Sequence, residues 1–196
     1  MREEIGRGGE GNPARETKQE LRSRYVRASL AQSPEEREAA SGRIAGRIAR
    51  LPAYQAASTV LVYSPLAYEV DLKPLLEDPA SAGKRFAYPC CLSGTEMAAY
   101  IPGPWKTGIH GIHEPVPEAS EEVPPEDIDF VVCPGIAFDG ARTRLGTGRA
   151  YYDRYLPRCR NACVVQAAFE AQHAEALPAE PHDRRMDRVI TEKAVY

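Results

Sequence analysis

The stretch Phe130-Val131-Val132-Cys133-Pro134-Gly135 decides the fold of this chain. Its first four residues are apolar and include aromatic and β-branched types, which predicts a buried strand, and Pro-Gly ends that strand. A glycine loop follows, and then a helix to about Arg158. Similar apolar runs are further strand candidates, at residues 59–63, 85–88, 97–101, 163–169 and 188–191. Strands that alternate with helices predict an α/β fold: a mainly parallel, Rossmann-like sheet with helices on both faces, in three layers (α/β/α).

Helices are predicted where capping boxes start them. Ser or Thr followed three residues later by Glu predicts helices over residues 17–30 and 33–50, and residues 71–77 are a shorter candidate. Residues 1–17 are charged and carry several glycines, so we expect a disordered N-terminal extension there. Residues 18–196 are enough for a single domain with a sizeable core.

The segment 102–127 is rich in proline, glycine and glutamate and has no usable hydrophobic period. This composition predicts a long surface loop with at most a short strand. A loop of this length inside a compact domain is often functional rather than merely connective. We therefore expect the segment to take part in the function of the protein.

The composition excludes several classes of protein. The formal charge is −3 and no basic run with interleaved aromatic residues occurs, so a general nucleic-acid binder is not expected. No apolar stretch approaches the roughly 20 residues that span a bilayer, and residues 1–17 lack the apolar centre of a secretory signal. The five cysteines lack paired CxxC spacing, which favours reduced thiols over disulfides or a zinc site. We expect a cytoplasmic monomer that binds neither nucleic acid nor membrane.

The segment that follows the central strand carries most of the candidate chemistry: Arg144-Leu145-Gly146-Thr147-Gly148-Arg149-Ala150-Tyr151-Tyr152-Asp153-Arg154. Glycines let a backbone approach a ligand closely, and arginines supply forked donors that suit phosphate. A helix beginning near Ala150 would add its N-terminal amides. The segment predicts a phosphate-binding loop, with Asp153 available for a metal. The alternative is a glycine-rich surface turn before a helix, which the arginines, tyrosines and aspartate disfavour.

Further residues are candidates for the same site. Lys18 and Arg22 stand four apart on one helix face, where they could clamp a polyphosphate; the alternative is a solvated helix face. Glu69 lies just past the first predicted strand, where a parallel sheet binds ligands, and its alternative is an exposed loop carboxylate. Asp153 and Asp183 are candidates for Mg²⁺. Each aspartate is equally an N-cap or the ion-pair partner of a nearby arginine: Arg154, Arg184 or Arg188.

Several ordered motifs together resemble those of the 5-formyltetrahydrofolate cyclo-ligases, also called 5,10-methenyltetrahydrofolate synthetases. The resemblance runs from about Lys18 to Thr191. Its most specific matches are Pro134-Gly135-Ile136-Ala137-Phe138-Asp139, Arg144-Leu145-Gly146 and Tyr151-Tyr152-Asp153. Further matches are Lys18-Gln19-Glu20-Leu21-Arg22, Glu69-Val70-Asp71, Gly111-Ile112-His113-Glu114-Pro115, His182-Asp183 and Ile190-Thr191-Glu192.

The resemblance implies a carbon–nitrogen cyclo-ligase of one-carbon metabolism that interconverts tetrahydrofolates. Such enzymes convert 5-formyltetrahydrofolate and ATP, with Mg²⁺, to 5,10-methenyltetrahydrofolate, ADP and phosphate. In the implied mechanism the formyl oxygen attacks the γ-phosphate and gives an N5-iminium phosphate. N10 then attacks the activated carbon, the ring closes and phosphate leaves. Phosphoryl transfer of this kind needs positioning and charge neutralisation more than a protein nucleophile.

The resemblance also implies roles for individual residues. The expected ATP-binding residues are Lys18, Gln19, Glu20, Leu21 and Arg22, together with Arg144, Leu145, Gly146, Thr147, Gly148, Arg149, Ala150, Tyr151 and Tyr152. The residues expected to be catalytic are Arg144, Arg149 and Tyr152. The residues expected to contact the folate are Ser64, Glu69, His110 and Tyr152. The residues expected to hold Mg²⁺ are Asp153 and Asp183.

Three positions depart from the family pattern. Glycine is usual where Arg142 and Ala150 stand, and position 142 calls for a positive φ unless Gly140 takes over the turn. An aromatic residue is common where His110 stands, and Trp105 is the alternative stacking residue. These departures bear on efficiency and substrate preference more than on fold. Two other interpretations stay open: a relative that binds nucleotide or folate without cyclising it, and, from architecture alone, a sugar-phosphate isomerase or CoA-transferase-like protein.

Overall fold

The computed structural model describes residues 16–108, 111–180 and 184–196. Within these ranges the chain forms five α-helices: α1 Lys18–Leu30, α2 Pro34–Ala49, α3 Pro52–Ala56, α4 Lys73–Leu76 and α5 Tyr151–Tyr155. The same ranges contain twelve strands: β1 Thr59–Leu61, β2 Arg85–Cys91, β3 Met97–Ile101, β4 Trp105–Thr107, β5 His113–Pro115, β6 Glu121–Val123, β7 Phe130–Cys133, β8 Ala137–Asp139, β9 Arg144–Leu145, β10 Cys163–Ala167, β11 His173–Ala174 and β12 Arg188–Ile190. In the described part of the chain, no helix has the length and apolar character needed to cross a membrane.

Seven strands form the central sheet, in the order β12-β10-β7-β1-β2-β3-β6. The strands from β12 to β2 pair in parallel, whereas β3 and β6 pair antiparallel at one edge. A second, smaller sheet contains β11, β8 and β9, and β4 pairs with β5 in a hairpin. The expectation of an α/β fold with a mainly parallel sheet is confirmed. The antiparallel edge matters for the site because it brings β3 and the β4–β5 hairpin beside β2.

The parallel strands are buried on both faces, because their successive residues enter two different apolar clusters. Val60 and Val132 belong to one cluster, together with residues of α2, α3 and α4. Leu61 and Val131 belong to the other cluster, together with residues of α5. This double burial explains why residues 130–133 form a continuous apolar run and why the strand could be recognised in the sequence.

α1 is positioned by its cap and by one apolar face. The Thr17 hydroxyl accepts a hydrogen bond from the Glu20 amide at 3.2 Å, and the Glu20 carboxylate accepts one from the Thr17 amide at 2.8 Å. The predicted capping box is therefore present. Leu21 and Tyr25, one helical turn apart, are buried against residues of β8, β9 and β11. This packing lays the first two turns of α1 against the glycine loop.

The structure departs from the predicted elements at several places. The segment 102–127, predicted as a long loop, contains the three-residue strands β4, β5 and β6. These strands could not be predicted, because they contain or adjoin prolines and their apolar and polar residues do not alternate. Their strand conformation depends on the strands they pair with more than on their own sequence. The helix predicted to reach Arg158 ends at Tyr155 and continues as a 3-10 turn that contains Pro157. Of the predicted disordered extension, residues 1–15 lie outside the described part of the chain.

Candidate active site

A cleft of about 320 Å³ lies at the carboxyl edge of the parallel strands. One side is formed by residues 144–153, which we call the phosphate wall, together with Lys18 and Arg22 of α1. The other side is formed by the chain after β1, which contributes Tyr63, Ser64 and Glu69. We call it the folate wall, after the ligand that the sequence resemblance implies for Ser64 and Glu69. The two sets of candidates, far apart in the sequence, therefore face one shared cleft.

Arg22 holds the glycine loop in place. Its Nε donates a hydrogen bond to the carbonyl oxygen of Gly146 at 2.8 Å. Gly148 has a φ of 97°, and a Cβ there would lie 3.1 Å from the Arg22 guanidinium. A side chain at position 148 would therefore meet both backbone strain and the arginine. Arg22 is half-buried against this loop rather than part of a solvated helix face.

The remaining residues of the N-terminal motif have different surroundings. Lys18 faces the cleft and forms an ion pair of 2.7 Å with Glu180. Leu21 is buried in the apolar face of α1, and Glu20 is occupied by the capping box. Gln19 is exposed and does not line the cleft. Of the five residues assigned to ATP in this motif, the structure brings Lys18 and Arg22 to the cleft.

Arg144 and Asp153 form an ion pair at the base of the phosphate wall. Arg144 Nη2 donates to Asp153 Oδ1 at 2.5 Å, and the Arg144 side chain is 5% exposed against 25% for Asp153. The Arg144 guanidinium also lies over the Tyr152 ring, with its Cζ 5.6 Å from the ring centroid. Arg154, a predicted partner for Asp153, instead donates to the backbone carbonyl of Arg149 at 2.8 Å. The ion pair and the ring contact thus hold the buried Arg144 guanidinium inside the phosphate wall, where it adds positive charge that water does not solvate.

The two positions at which the resemblance implies glycine both have left-handed backbone. Arg142 has a φ of 64° and Ala150 a φ of 53°, and they are the non-glycine residues with positive φ in the described part of the chain. Gly140 does not take over the turn, because its φ is not positive. Left-handed backbone costs a residue with a Cβ about 1–2 kcal/mol. Ala150 is also the N-cap of α5, whose five residues make its dipole small.

Glu69 is the carboxylate of the folate wall. Its Oε2 accepts a hydrogen bond from the Leu66 amide at 2.9 Å. Burial raises the pKa of Glu69 to about 7, although the Leu66 hydrogen bond acts in the opposite direction. Burial also raises the pKa of the Tyr63 and Tyr152 hydroxyls well above the ordinary tyrosine value, so both stay protonated. The Tyr152 hydroxyl is buried and has no hydrogen-bond partner among the described residues, and the Tyr152 side chain lines the cleft.

Comparison with known proteins identifies the family. The model described as the 5-formyltetrahydrofolate cyclo-ligase family matches residues 14–192. The chain belongs to this family. The 5-formyltetrahydrofolate cyclo-ligase of Escherichia coli K12 is 30% identical over 171 residues, which cover 84% of this chain and 94% of that protein. The mouse cyclo-ligase is 28% identical over 193 residues, which cover 89% and 93% of the two chains.

Solved structures agree with this cyclo-ligase assignment. The 5,10-methenyltetrahydrofolate synthetase of Aquifex aeolicus superposes with a TM-score of 0.79 at 36% identity, over 91% of each chain. The synthetase of Mycoplasma pneumoniae superposes with a TM-score of 0.74 at 25% identity, over 89% of this chain and 98% of that one. The large, mostly parallel sheet described above is therefore the fold of the methenyltetrahydrofolate synthetases.

The cyclo-ligase cleft also contains residues that were not predicted from the sequence: Pro89, Cys91, Met97, Leu177, Pro178 and Glu180. Ile112, His113 and Glu114 belong to a motif of the resemblance but had no predicted role, and they line the cleft as well. No local pattern marks Cys91 and Met97, because the tertiary pairing of β2 with β3 brings them to the cleft. Burial raises the pKa of the Cys91 and Cys133 thiols to about 11, so neither is an activated nucleophile.

Several predicted contacts have other partners or lie elsewhere. The Ser64 hydroxyl donates to the backbone carbonyl of His113 at 2.8 Å, which ties the folate wall to β5. Trp105 does not line the cleft but packs edge-to-face on Tyr88 beside it. The predicted folate contact His110 and the predicted Mg²⁺ ligand Asp183 lie outside the described residues. Within those residues, no group of three or more His, Cys, Asp or Glu side chains is arranged to hold a metal.

Proposed function

We propose that this protein cyclises 5-formyltetrahydrofolate to 5,10-methenyltetrahydrofolate at the expense of ATP, with release of ADP and phosphate. The observation that carries the proposal is the shared cleft, in which a cationic glycine loop faces the buried carboxylate of Glu69 and the ring of Tyr63. Membership of the cyclo-ligase family supports the same activity. We infer further that residues 18–196 act as one domain of three-layer, Rossmann-like architecture.

The phosphate wall supplies positive charge and backbone donors for ATP. Lys18, Arg22 and Arg149 bring cationic side chains to the cleft. The amides of Gly146 and Gly148 add donors at a place where the backbone comes close to the ligand. Because Arg22 also fixes the Gly146 carbonyl, it aligns the loop as well as attracting the polyphosphate. These groups stabilise the charge that spreads over the transferred phosphoryl oxygens.

Asp153 fits a role as one ligand of Mg²⁺. Its carboxylate lines the cleft and is one-quarter exposed, with Oδ1 bound to Arg144. Magnesium bound with ATP needs only one or two protein carboxylates beside phosphate oxygens and water. When bound, the ion neutralises charge on the phosphates. The ion pair with Arg144 holds the Asp153 carboxylate in one orientation toward the cleft.

The folate wall orients the reacting nitrogens. Glu69 in its carboxylate form accepts hydrogen bonds from N–H groups of the pterin. The protonated Tyr152 hydroxyl donates to the substrate from the opposite side. In this arrangement the formyl oxygen attacks the γ-phosphorus and the bond to ADP breaks. N10 then attacks the activated formyl carbon and gives up its proton, and the phosphate leaves with that proton and the former formyl oxygen. The protein holds both substrates in line and provides no nucleophile of its own.

The test is a steady-state assay of the purified protein with 5-formyltetrahydrofolate, ATP and Mg²⁺. We expect methenyltetrahydrofolate absorbance to appear together with ADP and phosphate in equal amounts, and to vanish when ATP or Mg²⁺ is omitted. A second candidate function, binding without turnover, is favoured by the strain at Arg142 and Ala150. Protein that binds ATP and folate but forms no methenyl product would support that second candidate and contradict the first.

A further inference from the structure

A second concavity, of about 330 Å³, lies beside the cleft. We call it the Trp105 groove, after the residue that forms its outer wall; Leu72, Leu76 and Tyr88 form its apolar floor. Trp105 is 42% exposed and lies on β4, a strand whose three residues are all exposed. The Trp105 and Tyr88 rings meet edge-to-face, with centroids 4.9 Å apart and an interplanar angle of 79°. The groove is therefore built of two fixed aromatic rings beside aliphatic side chains.

The groove continues the folate wall and not the phosphate wall. Tyr63, Ser64 and His113 line both the cleft and the groove. The hydrogen bond from the Ser64 hydroxyl to the His113 carbonyl, at 2.8 Å, joins the two elements at their boundary. No residue of the phosphate wall lines the groove. A ligand that reaches the groove from the cleft must therefore extend from the folate side of the cleft.

We propose that the Trp105 groove binds the aminobenzoyl ring of the folate substrate, an inference that rests on the proposed function. The ring is a flat aryl amide, and aromatic rings with aliphatic neighbours are the surface such a group prefers. It is bonded directly to N10, the nitrogen that closes the new ring. Binding of the aryl group in the groove would therefore set the position of N10 against the activated formyl carbon.

The charges around the groove suit the aryl ring of the substrate but not its glutamate portion. Lys73 lies at the rim but is paired with Glu77 at 3.8 Å. Asp71 is also in the lining, and its carboxylate accepts from the Lys73 amide at 2.9 Å. These three side chains carry a net negative charge, so the groove does not favour the carboxylates of the glutamate portion. We expect the glutamate to extend past the rim into solvent.

Trp105 is the single tryptophan of the chain, so its fluorescence reports on the groove directly. We expect 5-formyltetrahydropteroate, which has the aryl ring but no glutamate, to change the corrected emission as 5-formyltetrahydrofolate does. ATP alone, and the 5-formyl-6-aminomethyltetrahydropterin that lacks the aryl ring, are expected to leave the emission within a few per cent of the free protein. Binding of the pteroate without any change in emission would overturn the proposal, whether or not the protein turns over.

Activity gives a second, independent test. In Trp105→Ala, kcat/KM is expected to fall about tenfold or more for both aryl-containing substrates, with the KM for ATP and the kcat/KM of the aminomethylpterin unchanged. Trp105→Phe is expected to retain most of the activity, and Leu92→Ala, another exposed apolar residue outside both sites, all of it. Equal losses on all three substrates, or none, would contradict the proposal. Wild-type protein that forms no methenyl product would instead refute the proposed function.

Discussion

The two walls of the cleft lower the stability of the fold for different reasons. Ala150 in the phosphate wall and Arg142 just before it have left-handed backbone. In the same wall, the buried Arg144 Nε has no hydrogen-bond partner among the described residues. The folate wall has no such strain, but it holds Glu69 in surroundings that raise its pKa to about 7. The cost of the first wall is therefore independent of pH and removable by substitution. The cost of the second wall varies with protonation near neutrality.

The largest effect is expected from the pair that anchors the phosphate wall. Asp153→Asn keeps the shape of the side chain but removes the anion that faces Arg144 and, in our proposal, Mg²⁺. Turnover per folded molecule should fall on the order of a hundredfold or more, and the Mg²⁺ concentration at half-maximal rate should rise. Because Arg144 is 5% exposed, the free energy of unfolding should also fall, by about 1–3 kcal/mol. Steady-state kinetics and thermal melting measure the two effects.

Asp127→Asn is the matched control for this substitution, since Asp127 is exposed on a 3-10 turn away from the cleft. It should change neither the rate nor the melting temperature. An Asp153→Asn protein that melts lower but keeps full turnover would show that Asp153 only anchors Arg144. The phosphate wall would then have to obtain its metal from residues other than Asp153.

A smaller effect is expected beneath the phosphate wall, at Gln166. This side chain is fully buried, and neither its Oε1 nor its Nε2 has a hydrogen-bond partner among the described residues. Gly135 leaves room for it, since a Cβ at 135 would lie 2.3 Å from Gln166 Nε2. Gln166→Met, similar in length and shape, should raise the free energy of unfolding by about 1–3 kcal/mol because two unsatisfied polar atoms are removed. Chemical denaturation checks this, and a destabilised variant would show that the carboxamide is satisfied in solution.

The contribution of the folate wall to the stability of the protein should depend on pH. Glu69 binds its proton more tightly in the folded protein, with a pKa of about 7 against an ordinary value of 4.5. Its contribution to stability is therefore present below about pH 4.5 and lost as the pH rises through about 7. Glu69→Gln removes this titration and keeps an acceptor for the Leu66 amide. The melting temperature of Glu69→Gln minus that of the wild type should increase between about pH 4.5 and pH 7. A difference that stays constant from pH 4 to 8 would contradict a buried Glu69 carboxylate with a raised pKa.

The smallest effects are expected from restoring glycine at the left-handed positions. Ala150→Gly and Arg142→Gly each relieve about 1–2 kcal/mol of backbone strain but lose part of it to the flexibility of the unfolded chain. A net stabilisation of about 0.5–1 kcal/mol is expected for each, measured by denaturant melts. Ala141→Gly, next to Arg142 but without a positive φ, should destabilise by a similar amount. Destabilisation in all three variants would mean that the strain at 142 and 150 is absent.

The phosphate wall could be predicted from the sequence because its chemistry lies in one segment. Glycines, arginines and an aspartate within residues 144–153 predict a phosphate-binding loop by their types alone, and the structure places this segment along one side of the cleft. Even there, the ion pair of Arg144 with Asp153 was not predicted, since the arginines considered as partners were Arg154, Arg184 and Arg188. The backbone conformation at Ala150 was raised as a question and answered only by the structure.

The folate wall was predicted much less completely. Glu69 was recognisable because it follows a strand, but Cys91 and Met97 reach the cleft through the antiparallel pairing of β2 with β3. Such pairing depends on tertiary contacts and leaves no local pattern. Trp105 was predicted as a stacking residue of the cleft, and the structure places it in the adjoining groove because β4 pairs with β5. The parallel core was the most predictable part, since double burial demands continuous apolar runs.

If the two walls bind different substrates, substitutions in one wall should change the KM of one substrate and not of the other. The KM values for ATP and for 5-formyltetrahydrofolate are measured in Arg22→Ala and in Glu69→Gln, with Arg27→Ala as an exposed control on the same helix. We expect Arg22→Ala to raise the KM for ATP about ten- to a hundredfold and Glu69→Gln to raise only the KM for the folate. The control should change neither value. Parallel increases in both KM values in both variants, or an Arg22→Ala effect confined to the folate, would contradict the assignment of the walls.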